Sequence, residues 1–351
     1  MKPTDGADGG EPRPDGGTNN PDGPGPIDEA TLFTQLSDVP EPTAAERLSE
    51  WFNRHVYAPG VVFFSDWRAV TGAVILTGFL LMGTVGVYVV PEPRVMEGPI
   101  FVMPFTNWDY PLGTGVMGKS ILGQVVHATP AMLKMIAAGA LLSVSLGTVI
   151  GTVAGYRGGL SDSILMTVTD VVLTIPGLAL VIVLASIYQP EDPFIVGLIL
   201  GIDNWPRLAR TIRSQVLSIR EEAFTESSRI MGLSELTILR KDLISNLMPY
   251  ISVNFANSSR KVIFESVGLY FLSILPFTTL NWGVMMNEAY NGANLTRPEE
   301  LHWLLIPMVL IILVSLGFIL LAQGLDRVFN VRLRARHENA SRSETDGGER
   351  A

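Results

Sequence analysis

The sequence contains no cysteine, which excludes disulfides, thiolate metal sites and cysteine nucleophiles. Histidine is scarce, and no two histidines have the spacing of a metal-binding pair. The four are His55, His127, His302 and His337. The sequence therefore predicts no bound metal.

Basic residues are fewer than acidic residues, and the formal net charge of the 351 residues is −9. The acidic residues gather towards the ends, whereas the middle of the chain is basic. An acidic composition with more arginine than lysine is typical of proteins from a high-salt cytoplasm. The net charge is therefore a misleading guide to partners, and no nucleic-acid partner is predicted.

Long apolar runs are what the sequence does have, and hydrophobic residues make up 47% of it. About 20 apolar residues are enough for a helix to cross the bilayer core. Four clear spans are predicted at 69–90, 135–155, 164–187 and 303–323. Two weaker spans, which carry charged residues, are predicted at 194–212 and 252–275.

The basic residues between the two weaker spans decide the topology. They are Arg207, Arg210, Arg213, Arg220, Arg229, Arg240 and Lys241. Lysine and arginine are enriched in cytoplasmic loops, so both weaker segments must cross to place this block inside. The sequence therefore predicts an all-α protein of the cell membrane, with about six transmembrane helices and both termini in the cytoplasm.

The segments outside the spans are predicted as follows. Residues 1–42 form a disordered acidic tail, because they are too polar to offset the entropy of ordering. Residues 43–68 contain an amphipathic helix on the cytoplasmic membrane surface, or alternatively one packed on a partner domain. The remaining divisions are the first span 69–90, an extracellular segment 91–134, a transmembrane core 135–325 with a cytoplasmic loop 213–249, and a cytoplasmic tail 326–351.

Polar residues within spans are candidates for lining a translocation path, because a span must hide them in the bundle or beside water. We single out Asp170, Asn257 and Glu265. The alternative is that such groups only join helices together. An ion-gradient-driven carrier would use Asp170 or Glu265 as its buried site, although no inverted repeat is visible.

Residues 113–120 match the pattern of a phosphate-binding loop that ends in Gly118, Lys119 and Ser120. That loop needs a strand before it, and residues 106–112 make a poor one. The predicted topology also places the segment outside the cell, where ATP is not supplied. We therefore interpret the match as coincidental.

The cytoplasmic loop between the weaker spans contains two predicted helices. Gly232 is expected to end the first in a left-handed conformation, and Ser234 to cap the second. Leu236, Leu239 and Leu243 should follow one side of the second helix, before Pro249 marks the next span. This hairpin either docks a partner or is a packed hairpin without one.

Several motifs resemble those of one family. Glu226, Ser227 and Ser228, followed after three residues by Gly232, resemble the Glu-Ala-Ala-three-residues-Gly signature of permease subunits of binding-protein-dependent ABC importers in the dipeptide, oligopeptide and nickel class. Further matches are Asp170 with Pro176–Gly177, the run from Glu265 to Leu272, Trp282–Gly283 with Met285, and the loop 112–119. The resemblance covers about residues 69–335.

The resemblance implies a permease paired with a second homologous permease subunit, two ABC ATPase subunits and an extracellular solute-binding protein. The ATPases would bind around six residues and use the ATP themselves, so the resemblance implies no catalytic residue in this chain and no cofactor bound directly by it. These residues are Glu222, Ala223, Glu226, Ser227, Ser228 and Gly232. Gly115, Ser120 and Gln124 stand where the family has charged residues, and Asn294 with Thr296 forms a glycosylation sequon. The solute, peptide-like by resemblance, is not specified by these motifs.

Overall fold

The structure, a computed structural model, describes residues 57–222 and 230–329, together with Phe52 and Ser227. The chain divides into two compact units, Met1–Arg54 and His55–Ala351, and apart from Phe52 the description concerns the second. The predicted acidic tail, most of the predicted surface helix and the tail beyond residue 329 lie outside the described residues.

The described residues form helices joined by loops, and no β-strand occurs in these ranges. The helices are α1 (Ala58–Ser65), α2 (Trp67–Leu81), α3 (Ile121–Arg157), α4 (Gly159–Thr174), α5 (Gly177–Tyr188), α6 (Pro193–Gly201), α7 (Trp205–Ile219), α8 (Ser245–Phe271), α9 (Trp282–Gly292) and α10 (Pro298–Phe329). A π-helical turn, Met82–Gly86, and Val87–Val89 extend α2. Glu235–Thr237 and the π-helical Ile238–Ile244 precede α8.

Three helices among the described residues are long and apolar enough to cross a membrane, namely Trp67–Val89, Ile121–Arg157 and Pro298–Val328. The pair α4 and α5 meets the same criterion jointly but bends by 81° between its halves. The architecture is thus all-helical, with three candidate spans, or four if the bent pair is one span.

The structure corrects three predicted boundaries. First, α3 begins at Ile121, inside the predicted extracellular segment 91–134, because the Ser120 side chain caps it by accepting the Gly123 N–H at 3.3 Å. Second, the predicted span 164–187 breaks at Ile175, which is extended because the next residue is proline. Third, the predicted span 194–212 is interrupted between α6 and α7.

Several helix ends meet on one side of the molecule, which we call the arginine side. Its ion pairs are Asp66–Arg327 at 3.1 Å, Arg157–Glu235 at 2.6 Å and Asp162–Arg213 at 2.5 Å. The end of α7, the start of α8 and the end of α10 also line a common pocket there. The start of α2 therefore lies on the same side as the end of α10.

The opposite helix ends meet on what we call the loop side. Its contacts are His127 Nε2 to the Val90 carbonyl oxygen at 2.9 Å, His302 Nε2 to the Thr114 carbonyl oxygen at 3.3 Å, and Thr279 Oγ1 to the Glu191 carbonyl oxygen at 3.2 Å. These contacts bring the 91–120 segment, the loop before α6 and the loops around α9 to one end of the bundle.

Close packing between α3 and its neighbours depends on small residues at every fourth position of α3. They are Gly139, Ser143, Gly147, Gly151 and Gly155. A Cβ atom added at Gly151 would lie 2.8 Å from Ile212 Cβ, and one at Gly155 would lie 2.9 Å from Val216 Cβ. Helices in membranes use such spacing to bring backbones together, so α7 is held directly against α3.

Candidate functional site

We call residues 220–244, between α7 and α8, the connecting segment. The sequence predicts that one helix ends at Gly232 in this segment and that another begins at Ser234. Gly232 has φ of 72°, in the left-handed region that ends helices. The Ser234 hydroxyl accepts the Thr237 N–H at 3.3 Å. Both the predicted helix stop at Gly232 and the predicted cap at Ser234 are therefore confirmed.

Apolar side chains surround Gly232 on the surface of the arginine side. Ile230 is 79% exposed and Leu236 is 74% exposed, and Met231 and Leu233 are exposed as well. We call these four residues the apolar tip. Exposed apolar residues that form a cluster mark interaction surfaces more often than isolated ones do.

Two contacts attach the connecting segment to the end of α3. The Arg157 guanidinium pairs with Glu235 at 2.6 Å. The Arg220 Nη1 donates to the Gly155 carbonyl oxygen at 2.9 Å. The connecting segment is thus joined to α3, the longest of the described helices.

The predicted stripe of leucines after Gly232 is wrong in one position. Leu243 is fully buried and Leu239 packs beside it against the cluster of Leu208, Ile212 and Val216. Leu236 instead faces outward. Leu236 belongs to the short α-helical turn Glu235–Thr237, whereas Leu239 and Leu243 belong to the π-helical Ile238–Ile244 that follows it.

Pro249 does not mark the beginning of the next span, as the sequence suggested. It lies inside α8, which already begins at Ser245. Proline has no N–H, so one hydrogen bond of the helix is missing at this position. The helical segments Glu235–Thr237, Ile238–Ile244 and α8 nevertheless follow one another without a gap. The helical path from the connecting segment into α8 is therefore continuous.

Of the predicted ATPase-coupling residues, three are described: Glu222, Ser227 and Gly232. Glu222 is exposed, and its N–H donates to the Ile219 carbonyl oxygen at 3.1 Å. The Ser227 carbonyl oxygen accepts the Met231 N–H at 3.0 Å. The other three, Ala223, Glu226 and Ser228, lie outside the described residues.

The three path candidates occupy three different places. Asp170 accepts from Arg210 Nε at 2.8 Å in a groove of about 610 Å³ between α4 and α7. Asn257 lines a separate pocket of about 570 Å³ on the arginine side. Glu265 lies in α8, 3.5 Å from the Lys261 ammonium. The three candidates therefore do not form one site.

Asp203 is a polar residue that the sequence interpretation missed. Its Oδ2 accepts from Lys261 Nζ at 2.6 Å, and its side chain is only 8% exposed. A Cβ atom added at Gly177, the first residue of α5, would lie 2.9 Å from the Asp203 carboxyl carbon. The elbow between α6 and α7 therefore touches both α8 and the break between α4 and α5. The signal in the sequence was an acid at the end of a short apolar run.

Asn204 in the same elbow adds a second link to α8, because its Nδ2 donates to Ser258 Oγ at 2.7 Å. Since α7 continues from this elbow into the connecting segment, the polar contacts lie on the route between the arginine side and the helices of the bundle interior.

The 113–120 loop uses its own backbone amides. The N–H groups of Gly113, Thr114, Gly115 and Gly118 donate to the carbonyl oxygens of Tyr110, Val102, Lys119 and Gly115, at 2.8 to 3.1 Å. A phosphate-binding loop must present its amides to the ligand. The loop is thus a closed structural turn that leads into α3.

On the loop side, this turn also walls a pocket of about 220 Å³ together with α3, α9 and α10. Gly115 and Gln124, two of the positions that are charged in the resembling family, both line it. Ser120 does not line the pocket and instead caps α3. Two of the uncharged residues that replace charged residues of the family, Gly115 and Gln124, therefore lie in one pocket.

Comparison with known proteins gives the family. Residues 147–335, more than half of the chain, match the protein family described as the binding-protein-dependent transport system inner membrane component. The chain belongs to this family. Its match includes α4 to α10, the connecting segment and the elbow at Asp203.

Individual relatives extend the similarity beyond the matched region. The dipeptide transport system permease protein of Bacillus subtilis is 29% identical over 307 residues, covering 81% of this chain and 93% of that protein. The oligopeptide permease protein of the same organism is 26% identical and covers 64% and 73%. The glutathione permease protein of Pectobacterium atrosepticum is 28% identical and covers 69% and 77%.

The protein is therefore a membrane-embedded permease subunit of an ABC importer. This agrees with the helical architecture and the candidate spans described above. The permease is a component of a binding-protein-dependent system, so its function depends on other subunits.

Proposed function

We propose that the permease forms part of the path for short peptides delivered by an external binding protein. The support for the solute class is that relatives covering most of the chain carry the names dipeptide and oligopeptide permease. Within this proposal the permease performs no covalent chemistry and binds no cofactor directly. The energy comes from ATP used in partner subunits.

The proposed assembly contains a second homologous permease subunit, two ABC ATPase subunits and the solute-binding protein. The apolar tip around Gly232 is the single observation that carries the ATPase contact, because it leaves apolar side chains exposed on the arginine side. The ion pair of Arg157 with Glu235 would transmit motion of the tip to α3.

The proposed topology has six spans with both chain ends in the cytoplasm. It is supported by the arginine side, where the start of α2 meets the end of α10 through Asp66 and Arg327. An even number of crossings returns the chain to its starting side. Because arginines concentrate there, that side is proposed to face the cell interior.

The alternative function is an ion-gradient-driven carrier that uses Asp170 or Glu265 as its ion site. The contacts of these two residues within the described part of the chain do not favour it. Asp170 is held by Arg210, and Glu265 lies beside Lys261. A carboxylate that carries an imported proton or ion must exchange partners during the cycle, whereas these two are joined to cations already. The importer is the better account, and these pairs are proposed to hold helices in register.

Co-purification tests the proposed ATPase contact. The permease is isolated from membranes under conditions that preserve complexes, and bound P-loop ATPase is quantified for Ile230→Asp and Leu236→Asp. We expect both variants to lose most of the ATPase, because a carboxylate would be buried against an apolar partner surface. Ser214→Asp adds the same charge on exposed α7 and should retain it.

The same preparation tests the solute. ATP hydrolysis by the purified complex should rise when dipeptide-loaded binding protein is added, and uptake of labelled dipeptide into vesicles should follow. Wild-type permease that recovers no ATPase would refute the proposed assembly. Uptake driven by an ion gradient without ATP would support the carrier instead.

A further inference from the structure

The pocket of about 220 Å³ on the loop side is distinct from the polar elbow and from the connecting segment. Its wall comes from the turn 115–119, Gln124 of α3, residues 288–292 of α9 and Trp303 of α10. The volume equals about seven waters at roughly 30 Å³ each, so it suits one or two small amino-acid residues.

Buried polar groups without partners line this pocket. Gln124 is 1% exposed, and neither atom of its amide has a hydrogen-bond partner among the described residues. Trp303 is 3% exposed, and its indole N–H is likewise unpaired within the described part of the chain. Because an unsatisfied buried polar group costs about 1 to 3 kcal/mol, a side-chain rotation that brings these atoms to an occupant of the pocket would be favoured.

The space around the indole of Trp303 is maintained by two glycines. A Cβ atom added at Gly115 would lie 2.8 Å from Trp303 Cε2, and one at Gly292 would lie 3.0 Å from Trp303 Cζ3. Side chains at either position would displace the indole. The pocket is therefore built by specific small residues on both sides of the ring.

One cation and one anion complete the lining. Lys119 and Glu288 are both partly exposed, and neither forms a salt bridge within the described residues. Asn291 adds another amide to the wall. A ligand that matches this set carries a carboxylate, an ammonium group and hydrogen-bonding groups between them.

We propose that this pocket binds a small zwitterion of the α-amino acid type, either as a free amino acid or as a short peptide. Lys119 binds the carboxylate, Glu288 binds the ammonium, and Gln124 with the Trp303 indole N–H holds the polar groups between. This proposal rests on the proposed function in one respect: the imported peptide is one of the two possible ligands, and a free amino acid is the other.

Titration of the complete transporter in lipid nanodiscs tests this proposal. The probes are L-alanine, L-alanyl-L-alanine and N-acetyl-L-alaninamide, which lacks both charges. The permease carries 5-fluorotryptophan, and the Trp303 signal is assigned with Trp303→Phe. We expect a charged probe to shift that signal, whereas the blocked probe should not. Binding of alanine alone identifies free amino acid as the source, and binding of the dipeptide alone identifies the imported solute.

Matched variants locate the charges. Glu288→Gln and Lys119→Met should each weaken binding of the charged probe at least about tenfold, as expected for a hydrogen bond to a charged group. Gln124→Leu should weaken it similarly. Glu191→Gln removes an exposed carboxylate elsewhere on the loop side and should leave affinity unchanged. Glu288 and Lys119 are partly exposed, so their variants should fold even if the variant of the buried Gln124 does not. Their affinities alone are then enough to test the proposal.

Several results would overturn the proposal. Neither charged probe binding while dipeptide uptake proceeds would show that the pocket holds only water. Equal binding of the blocked probe, or unchanged affinity in both Glu288→Gln and Lys119→Met, would also reject it. Absence of dipeptide uptake by the wild-type complex is a separate result, since it counts against the proposed solute and not against the pocket.

Discussion

Gly232 shows how one residue determines the shape of the apolar tip. Its φ of 72° turns the chain so that Ile230 and Leu236 are both exposed. Because no other atom lies within 4 Å of an added Cβ, the position is limited by backbone conformation and not by space inside the permease. A change here therefore separates backbone strain from internal packing.

Replacing Gly232 with isoleucine should abolish uptake while membrane insertion remains intact. A β-branched residue in the left-handed region costs at least about 1 to 2 kcal/mol, so the turn would rearrange and the apolar tip would be misplaced. Gly232→Asn is the matched control, because asparagine tolerates this conformation and should keep more activity. Full uptake by Gly232→Ile, measured with labelled dipeptide, would count against the role of the turn.

Lys261 is the residue on which the polar elbow depends. It lies 2.6 Å from Asp203 and 3.5 Å from Glu265, so its removal leaves two carboxylates without a cation. Lys261→Met should destabilise the permease by about 3 kcal/mol, seen as a lower midpoint of thermal unfolding.

The double variant Lys261→Met with Asp203→Asn checks the cause of that loss. Removing the buried carboxylate should restore part of the stability, because the uncompensated charge is gone. If the two substitutions destabilise additively, the ion pair does not carry the contact between the elbow and α8.

At the scale of single residues, the sequence indicated Gly232 and Ser234 because each follows a local rule for helix ends. It did not indicate Asp203, whose partner is 58 positions away and in another helix. Leu236 was placed with Leu239 and Leu243, but it is exposed and belongs to the turn before their π-helical segment. Local chemistry is readable in a sequence, whereas long-range pairs and changes of helical pitch are set by packing.

Among the helices, the contact of α3 with α7 is the element that links the connecting segment to the bundle. Glycines on α3 face Leu208, Ile212 and Val216 of α7. Small residues allow this approach, and the Arg220 contact to Gly155 fixes its end. Motion of α7 therefore requires α3 to move with it or the glycine contact to open.

Gly151→Ala tests this contact. The new methyl would lie 2.8 Å from Ile212 Cβ, so the helices must separate and the midpoint of thermal unfolding should fall, by the equivalent of about 1 to 3 kcal/mol. Gly268→Ala in α8 meets no atom within 4 Å and should be neutral or slightly stabilising. Equal midpoints for the two variants would show that the α3–α7 contact is not tight.

The apolar spans 69–90 and 303–323 were predictable because the runs are long and uniform. The helical segment Trp67–Val89 covers all but the last residue of the first, and α10 contains the second. The boundaries of other elements were not. The start of α3 depends on a serine cap, and the bend of 81° between α4 and α5 depends on the residue before a proline. Hydropathy predicts which segments are apolar enough to lie in the membrane, but it does not predict where a helix begins or bends.

On the scale of the whole molecule, the arginine side and the loop side give the permease a direction. Asp66 and Arg327 join the first and last spans at one end, while Val90 and His127 meet at the other. The proposed topology follows if the arginine side faces the cytoplasm. Because the sequence contains no cysteine, single reactive thiols can report this orientation without background.

Single-cysteine labelling in intact cells should therefore distinguish the two sides. Asn294→Cys, on an exposed loop before α10, should react with a membrane-impermeant maleimide, since the proposed topology places it outside. Leu236→Cys, in the exposed apolar tip, should react only after the membrane is permeabilised. Trp108→Cys is a second exposed position on the loop side and should behave like Asn294→Cys. Labelling of Leu236→Cys from the medium would reverse the orientation and remove the tip from any cytoplasmic ATPase.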